Sequence, residues 1–257
     1  MTGSLPHEAA SVQHPASAEE IDEIAYVAAN PDVAGSGLSP PEHFRRIGQG
    51  EGRIQYANVA IIDQMRQEKL RQVTWRPRRS PLSMTSRGAL NFIPPDIASQ
   101  FGIPEDVPVS AHPYSTRFAE LVRNNRDKLF LDLGAGLRHV YYDNVVNADI
   151  YPSASTDVIC VGEDLPFADE LFDFIFCFAV QEHTLRPWDV VREMCRVLKV
   201  GGTVFVDWPF LQGMHGYPHH YFNATPRGNE SLLEPYCEVA PATIERHHHP
   251  AIAANWI

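Results

Sequence analysis

Two acids and a set of glycines stand at spacings that suit a nucleoside-type ligand. The run Leu129-Phe130-Leu131 leads to Asp132 and Leu133 and then breaks into Gly134-Ala135-Gly136. A buried strand ending this way lets backbone approach a ligand, because glycine takes φ > 0 without a Cβ penalty. The carboxyl edge of a parallel sheet is also where ligands lodge. Asp149 closes a second apolar run, Val145-Val146-Asn147-Ala148, and a carboxylate there can accept from both hydroxyls of a ribose. A third run, Asp157-Val158-Ile159-Cys160, leads into Gly162-Glu163-Asp164-Leu165-Pro166-Phe167. Proton acceptors near neutral pH come from histidine. His183 follows the run Phe172 to Phe178, and His215, His219 and His220 sit with Tyr221 in the aromatic, polar stretch PFLQGMHGYPHHYFNAT. The adjacent pair His219-His220 would point apart on a strand, no i, i+4 histidine pair falls on a helix, and His247-His248-His249 reads as a surface tract. No metal site is expected from that pattern.

Taken in order, the glycine loop, the second-strand acid, EDLPF, FDFIFCF and VLKVGGTVFV resemble the class I S-adenosylmethionine-dependent methyltransferases, in particular the type 11 group, over about residues 128–210. The resemblance implies a Rossmann-like methyltransferase fold and S-adenosylmethionine as cofactor. It implies Asp132, Gly134 and Gly136 at the methionine end and Asp149 on the ribose. Gly162, Glu163, Asp164 and Leu165 would surround the adenine, and Ala179 and Val180 would border the sulfonium. It also makes the loop after the fifth strand substrate-facing, so that His219 and His220 there, with His183 at the ligand edge after the fourth strand, are the candidate catalytic bases. Methyl transfer asks the protein mainly to hold a nucleophile roughly 3–3.5 Å from the methyl carbon, in line with the departing sulfur. Two departures stand out: Arg138 replaces the third glycine of the loop, and Val161 stands where the family carries an acid beside the adenine. Asp132 also has a plainer reading, as a turn acid capping backbone amides.

The elements that must position these residues alternate. Eleven residues separate the first and second strands and seven the second and third. Parallel strands normally need a crossover of a dozen or more, so the helices after strands one and two are expected to be cut to a turn or lost. Phe172 to Phe178 is apolar on both faces, as a central parallel strand covered on both sides should be. Ser115 to Asn125 and Pro187 to Lys199 read as helices flanking the sheet, Gly201-Gly202 ends the second of them, and Thr203 to Trp208 reads as the fifth strand. Residues 228–236 are expected to form a short helix and 237–246 a sixth strand. Strands alternating with helices give an α/β fold with a doubly wound, mostly parallel sheet. That domain is placed at 114–257, with a C-terminus expected to be truncated or completed unusually.

Upstream, residues 1–16 read as disordered and 17–75 as a helical module. Ser17-Ala18-Glu19-Glu20 is a capping box for a helix carrying Ile21, Ile24, Ala25 and Ala28 on one face, stopped by Asn30-Pro31. A second short helix is expected over Pro41 to Ile47, closed by Gly48. The phrase YVAANPDVAGSGLSPPEHFRRIGQGEGR resembles a helical module attached to bacterial surface-glycan enzymes, which turns the acceptor expectation towards glycans. Residues 55–73 are expected to form a longer helix whose basic end (Arg66, Lys69, Arg71, then Arg76, Arg78 and Arg79) reads as a solvated, dipole-compatible face, with a hold on an anionic sugar-phosphate substrate as the alternative. Residues 76–113, rich in Pro and Ser, read as a linker or lid.

Composition bounds the function. The chain has 257 residues, 44% hydrophobic and 21% charged, with a net charge of −11. That charge argues against a nucleic-acid footprint. Four scattered cysteines without a CxxC pair suit reduced thiols. There is no run of 18 apolar residues and no signal pattern, so the expectation is a soluble, cytoplasmic enzyme acting on a small molecule or glycan. Two alternatives stay open: a non-catalytic module that keeps the sheet, and an NAD-dependent oxidoreductase. The latter needs a glycine loop opening a full helix under a pyrophosphate, which Arg138-His139 and the short crossover serve poorly.

Overall fold

The computed structural model describes residues 9–103, 109–216 and 219–238. Its centre is a seven-stranded sheet. In chain order the strands are β1 (Ser83–Met84), β2 (Leu90–Asn91), β3 (Phe130–Leu133), β4 (Val145–Asp149), β5 (Val158–Ile159), β6 (Phe172–Phe178) and β7 (Leu198–Asp207). The spatial order is β7-β6-β3-β4-β5-β2-β1. Every neighbouring pair is parallel except β1 with β2 at the edge. This is the doubly wound, Rossmann-like arrangement that the alternation of elements implies.

Alternation within the strands decides which helix covers which face. Phe130 and Phe176 point one way and pack with Val122, Phe118 and Leu121 of helix Thr116–Asn124. Ser115 caps that helix by accepting from the Phe118 amide at 3.4 Å. Leu131, Leu133, Ile175 and Cys177 point the other way and meet Val190, Val191, Met194 and Val197 of helix Pro187–Val197. Pro187 opens this helix at no cost, since the amide it lacks would be unpaired there anyway. With both faces of β6 covered, its apolar run from Phe174 to Phe178 is explained.

The two crossovers expected to lose their helices do so: no helix lies between β3 and β4 or between β4 and β5. The cover comes from upstream. Residues Ala9–Ser11 pair antiparallel with Val140–Tyr142, and Gln13–Pro15 pair with Ile54–Tyr56. The expectation of disorder through residue 16 therefore fails for 9–15, because Ala10 and Val12 pack with Ile62, Met65, Tyr141 and Ala154 in a small core of their own. Residues 76–113 likewise contribute more than a linker, since β1 and β2 extend the sheet beyond β5.

The long upstream helix, Val59–Gln72, corrects a second reading. Arg66 and Lys69 are not solvated but buried. The Lys69 ammonium lies 2.7 Å from Asp157 and also donates to the Tyr142 and Val145 carbonyls. Arg66 donates to the Thr156 and Ala154 carbonyls at 3.0 and 2.8 Å and lies 3.3 Å from Asp157. The crossovers, stripped of helices, expose carbonyls and an acid that these two cations satisfy. Burial pulls the Lys69 ammonium down to about 8, against the opposing pull of Asp157.

Smaller differences lie at the edges. The first upstream helix is Glu23–Ala29, capped by Asp22, whose side chain accepts from Ala25; Ser17 accepts from Glu20 in the turn before it. Ile24, expected on its buried face, is exposed, and Tyr26 is buried instead. The expected helix over Pro41 to Ile47 runs on to Glu51 in three joined segments and ends at Gly52 in a left-handed conformation (φ +65°). The C-terminal helix is Pro226–Leu233. The sixth strand expected over 237–246 lies outside the described residues, apart from 237 and 238, which are not strand. Among the described residues, no helix is long and apolar enough to cross a membrane.

Candidate active site

The ends of β3, β4, β5 and β6 lie on one edge of the sheet, a consequence of their parallel pairing. The glycine loop leaves β3 and folds across the tip of β4. Gly134 and Ala135 both donate to the Ala148 carbonyl, at 2.8 and 3.1 Å. Gly134 and Gly136 have φ of +73° and +58°, the left-handed region that favours a residue without a Cβ. The Gly136 amide donates to Asp149 Oδ2 at 2.7 Å, and the Tyr151 amide to Oδ1 at 3.0 Å. The Asp149 carboxylate is 9% exposed, and burial raises its pKa against those two amides.

A nucleoside ligand fits the Asp149 end of this edge. The Asp149 oxygens accept the Gly136 and Tyr151 amides, the Ile150 amide also faces the carboxylate, and a carboxylate oxygen can accept two bonds, which leaves capacity for a ribose hydroxyl. The Asp132 end does not fit as it stands. Asp132 is fully buried, and the Arg138 guanidinium grips it with Nε at 2.7 Å and Nη2 at 3.0 Å. The Tyr114 hydroxyl donates to the same carboxylate, and its ring lies under the guanidinium at 4.5 Å. Arg138 thus takes the partner that the third glycine of the family loop would leave free, and Asp132 becomes a structural anchor for the loop. The space a Cβ would need at Gly134 is filled by the Val180 side chain, and that at Gly136 by the Ser110 carbonyl. Residues 110–112 run along the loop, with Leu137 donating to Ser110 and His112 to Leu137.

The remaining expected cofactor residues divide. Gly162 faces Val190 of the covering helix, 3.3 Å from where its Cβ would be. Glu163 is buried and accepts from the Arg186 amide at 3.4 Å. Asp164 is turned to Arg76 and Arg79. Leu165 is a correction: its side chain lies in the main core and its amide donates to Glu193 at 2.9 Å, so it does not border a ligand. Ala179 (φ +52°) and Val180 stand at the exit of β6.

Just beyond Val180 the chain turns through Gln181–His183, and a cluster of titratable groups forms that sequence reasoning saw only in part. His183, His215 and His220 come together, with ring centroids 4.9 Å apart for the first two and 4.6 Å for the last two. His183 Nδ1 lies 2.8 Å from the His219 carbonyl; donation there fixes its tautomer. His220 Nε2 lies 2.8 Å from Asn223 Oδ1. Burial, with His215 and His220 beside it, lowers the pKa of His183 below the ordinary imidazole value. Glu182 was not singled out from the sequence. It is fully buried, neither of its carboxylate oxygens has a hydrogen-bond partner, and burial raises its pKa to about 7. Gln181, also buried, leaves its amide oxygen and nitrogen unpartnered. The available signal was an acid and a histidine four and five residues after a strand apolar but for Asp173.

Comparison with known proteins finds methyltransferases. Residues 131–206 match the family model described as Methyltransferase domain. An uncharacterised methyltransferase of Mycobacterium tuberculosis is 36% identical over 93 residues, covering 35% of this chain and 32% of that protein. One of Mycobacterium leprae is 37% identical over 105 residues, covering 40% and 35%. The chain thus spans about a third of the length of these relatives. A crystal structure of a putative methyltransferase from Bacillus halodurans aligns at 19% identity and a TM-score of 0.36, covering 48% of this chain and 68% of that one. The [4+2]-cyclase SpnF aligns at 19% identity and 0.35, covering 47% and 56%.

Proposed function

We propose that this chain, whose residues 131–206 match the family model of a methyltransferase domain, is a class I, S-adenosylmethionine-dependent enzyme that methylates a small-molecule or glycan acceptor. The observation that carries the reading is one sheet edge with Asp149 held in the glycine loop at one place and the His183 cluster three residues beyond Val180. S-adenosylmethionine supplies the electrophilic methyl group when bound. Asp149 is assigned to the ribose diol, the Gly134 and Gly136 backbone to the methionine end, and Gly162 and Glu163 to the adenine. His183, His219 and His220 are assigned to the acceptor side. An imidazole of His219 or His220 can take the proton of an acceptor hydroxyl. Trp188, Phe210 and Phe222 are exposed beside this loop, and flat apolar rings suit the faces of a sugar.

Calorimetric titration of S-adenosylmethionine into the purified chain should give micromolar binding, with none for NAD. Asp149→Asn should weaken that binding about tenfold or more, since a charged hydrogen-bond acceptor contributes about 1.5–3 kcal/mol. Labelled methyl transfer, screened over sugar acceptors, tests turnover. One observation favours a second reading, binding without turnover: Arg138 holds Asp132, and Val180 fills the space over Gly134. Binding with no methyl transfer to any acceptor would select it, and no binding at all would sink both.

A further inference from the structure

We propose a divalent transition-metal site, of the zinc class, built from Glu182, His183 and His215. One candidate ligand atom from each lies within 4.8 Å of the others. Zinc binds imidazole nitrogen and carboxylate oxygen at about 2.0–2.1 Å, and a tetrahedral set then spaces its ligand atoms about 3.3 Å apart. An ion needs the three groups to close by up to about 1.5 Å, a side-chain adjustment within the reach of a loop and a 3₁₀ turn.

Two further observations point to an ion, apart from proximity. Glu182 is fully buried with both carboxylate oxygens unpartnered, a condition that costs several kcal/mol in a protein interior unless a cation or proton supplies the missing partner. Its Oε1 lies 3.8 Å from His183 Nε2, so the carboxylate is aimed at the imidazole rather than away from it. The histidines also have the outer bonds that ligating histidines have. His183 gives its Nδ1 proton to the His219 carbonyl, leaving the Nε2 lone pair towards Glu182. His215 Nδ1 lies 2.9 Å from the Gly213 carbonyl, so its proton has an acceptor and the lone pair is left on Nε2. The loop is seated by Tyr221 donating to the Glu182 carbonyl at 2.7 Å, and Gly216 lies so close over the His183 ring that a Cβ would overlap it. Adjacent residues in a tight turn, joined by a histidine from a later loop, make a ligand set that spacing rules for helices do not anticipate.

Two histidines and one carboxylate leave at least one coordination position open. An oxygen of the acceptor would occupy it, so for its purpose the site rests on the methyl-transfer reading above. Its existence does not, and the test needs neither cofactor nor acceptor. The chelator-treated full chain is titrated with Zn²⁺ by calorimetry, and Co²⁺ is added to read the coordination spectrum. Glu182→Gln, His215→Ala and a triple variant of the C-terminal tract, His247→Ala with His248→Ala and His249→Ala, are compared with wild type. Glu182→Gln keeps the shape and removes a buried charge, so it should fold, and its thermal midpoint confirms that. One equivalent of Zn²⁺, weakened at least a hundredfold in Glu182→Gln and His215→Ala but unchanged in the tract variant, supports the site. No binding, binding indifferent to Glu182 and His215, or binding lost with the tract overturns it. Failure of methyl transfer with the metal result intact would remove the enzyme reading alone.

Discussion

Replacing Arg138 by methionine tests whether Asp132 serves the loop or a ligand. The pair is closed off from water, at 5% and 0% exposure, and joined by two hydrogen bonds of 2.7 and 3.0 Å. Arg138→Met strands a buried carboxylate with Tyr114 as its remaining side-chain donor. Asp132→Asn strands the guanidinium. Breaking such a pair from one side costs about 3–5 kcal/mol, whereas replacing both members with neutral groups of similar volume is often nearly neutral. Each single variant should therefore lose about 3–5 kcal/mol in urea unfolding at pH 7, a large part of the roughly 5–15 kcal/mol a domain has. The double variant should lose less than either, a coupling of about 3 kcal/mol or more. Losses that add to within about 0.5 kcal/mol would show that the two side chains act independently and would refute the anchoring role. If the double variant folds, it should still bind S-adenosylmethionine, because that binding is assigned to Asp149.

Other outcomes follow from the same contacts. Val180→Ala should clear the space over Gly134 and tighten S-adenosylmethionine binding several-fold while costing about 1–2 kcal/mol of stability; weaker binding in calorimetry would mean that Val180 holds the ligand instead of obstructing it. Asp157→Asn should cost about 3–5 kcal/mol in chemical unfolding, since it leaves Arg66 and Lys69 buried without their shared acid. Lys69 has a folded pKa of about 8, below the unfolded value of about 10.4. Its charging penalty is therefore complete below pH 8 and relieved as pH rises from about 8 to 10. Wild type should gain on the order of 3 kcal/mol relative to Lys69→Met across that window, at about 1.4 kcal/mol per pH unit, and a flat difference curve would contradict the assignment. Gly134→Ala, which meets Val180 and requires a left-handed alanine, should abolish cofactor binding and lower the thermal midpoint.

The sequence by itself determined the five parallel strands β3 to β7 and the edge at which the glycine loop and Asp149 stand, but not β1 and β2. Strand runs such as FDFIFCF, apolar on both faces, can only lie between two layers, and glycines directly after an apolar strand fix where backbone turns left-handed. The short spacers between Leu133, Val145 and Asp157 foretold the missing crossover helices because too few residues remain to return a chain antiparallel to a strand. Tertiary structure decided what replaced those helices. Nothing local in Ala9–Ser11, or in the basic end of Val59–Gln72, announces a role over distant crossovers; the unsatisfied carbonyls and Asp157 that recruit Arg66 and Lys69 exist only once the sheet has formed. The fates of the acids were decided in the same way. Asp132 and Asp149 end similar runs, yet Arg138 neutralises one and amides hold the other, because charge pairing depends on which side chains the fold brings within reach. Glu182 and His215 lie 33 residues apart in the chain, and only the return of the loop after β7 brings them to one place.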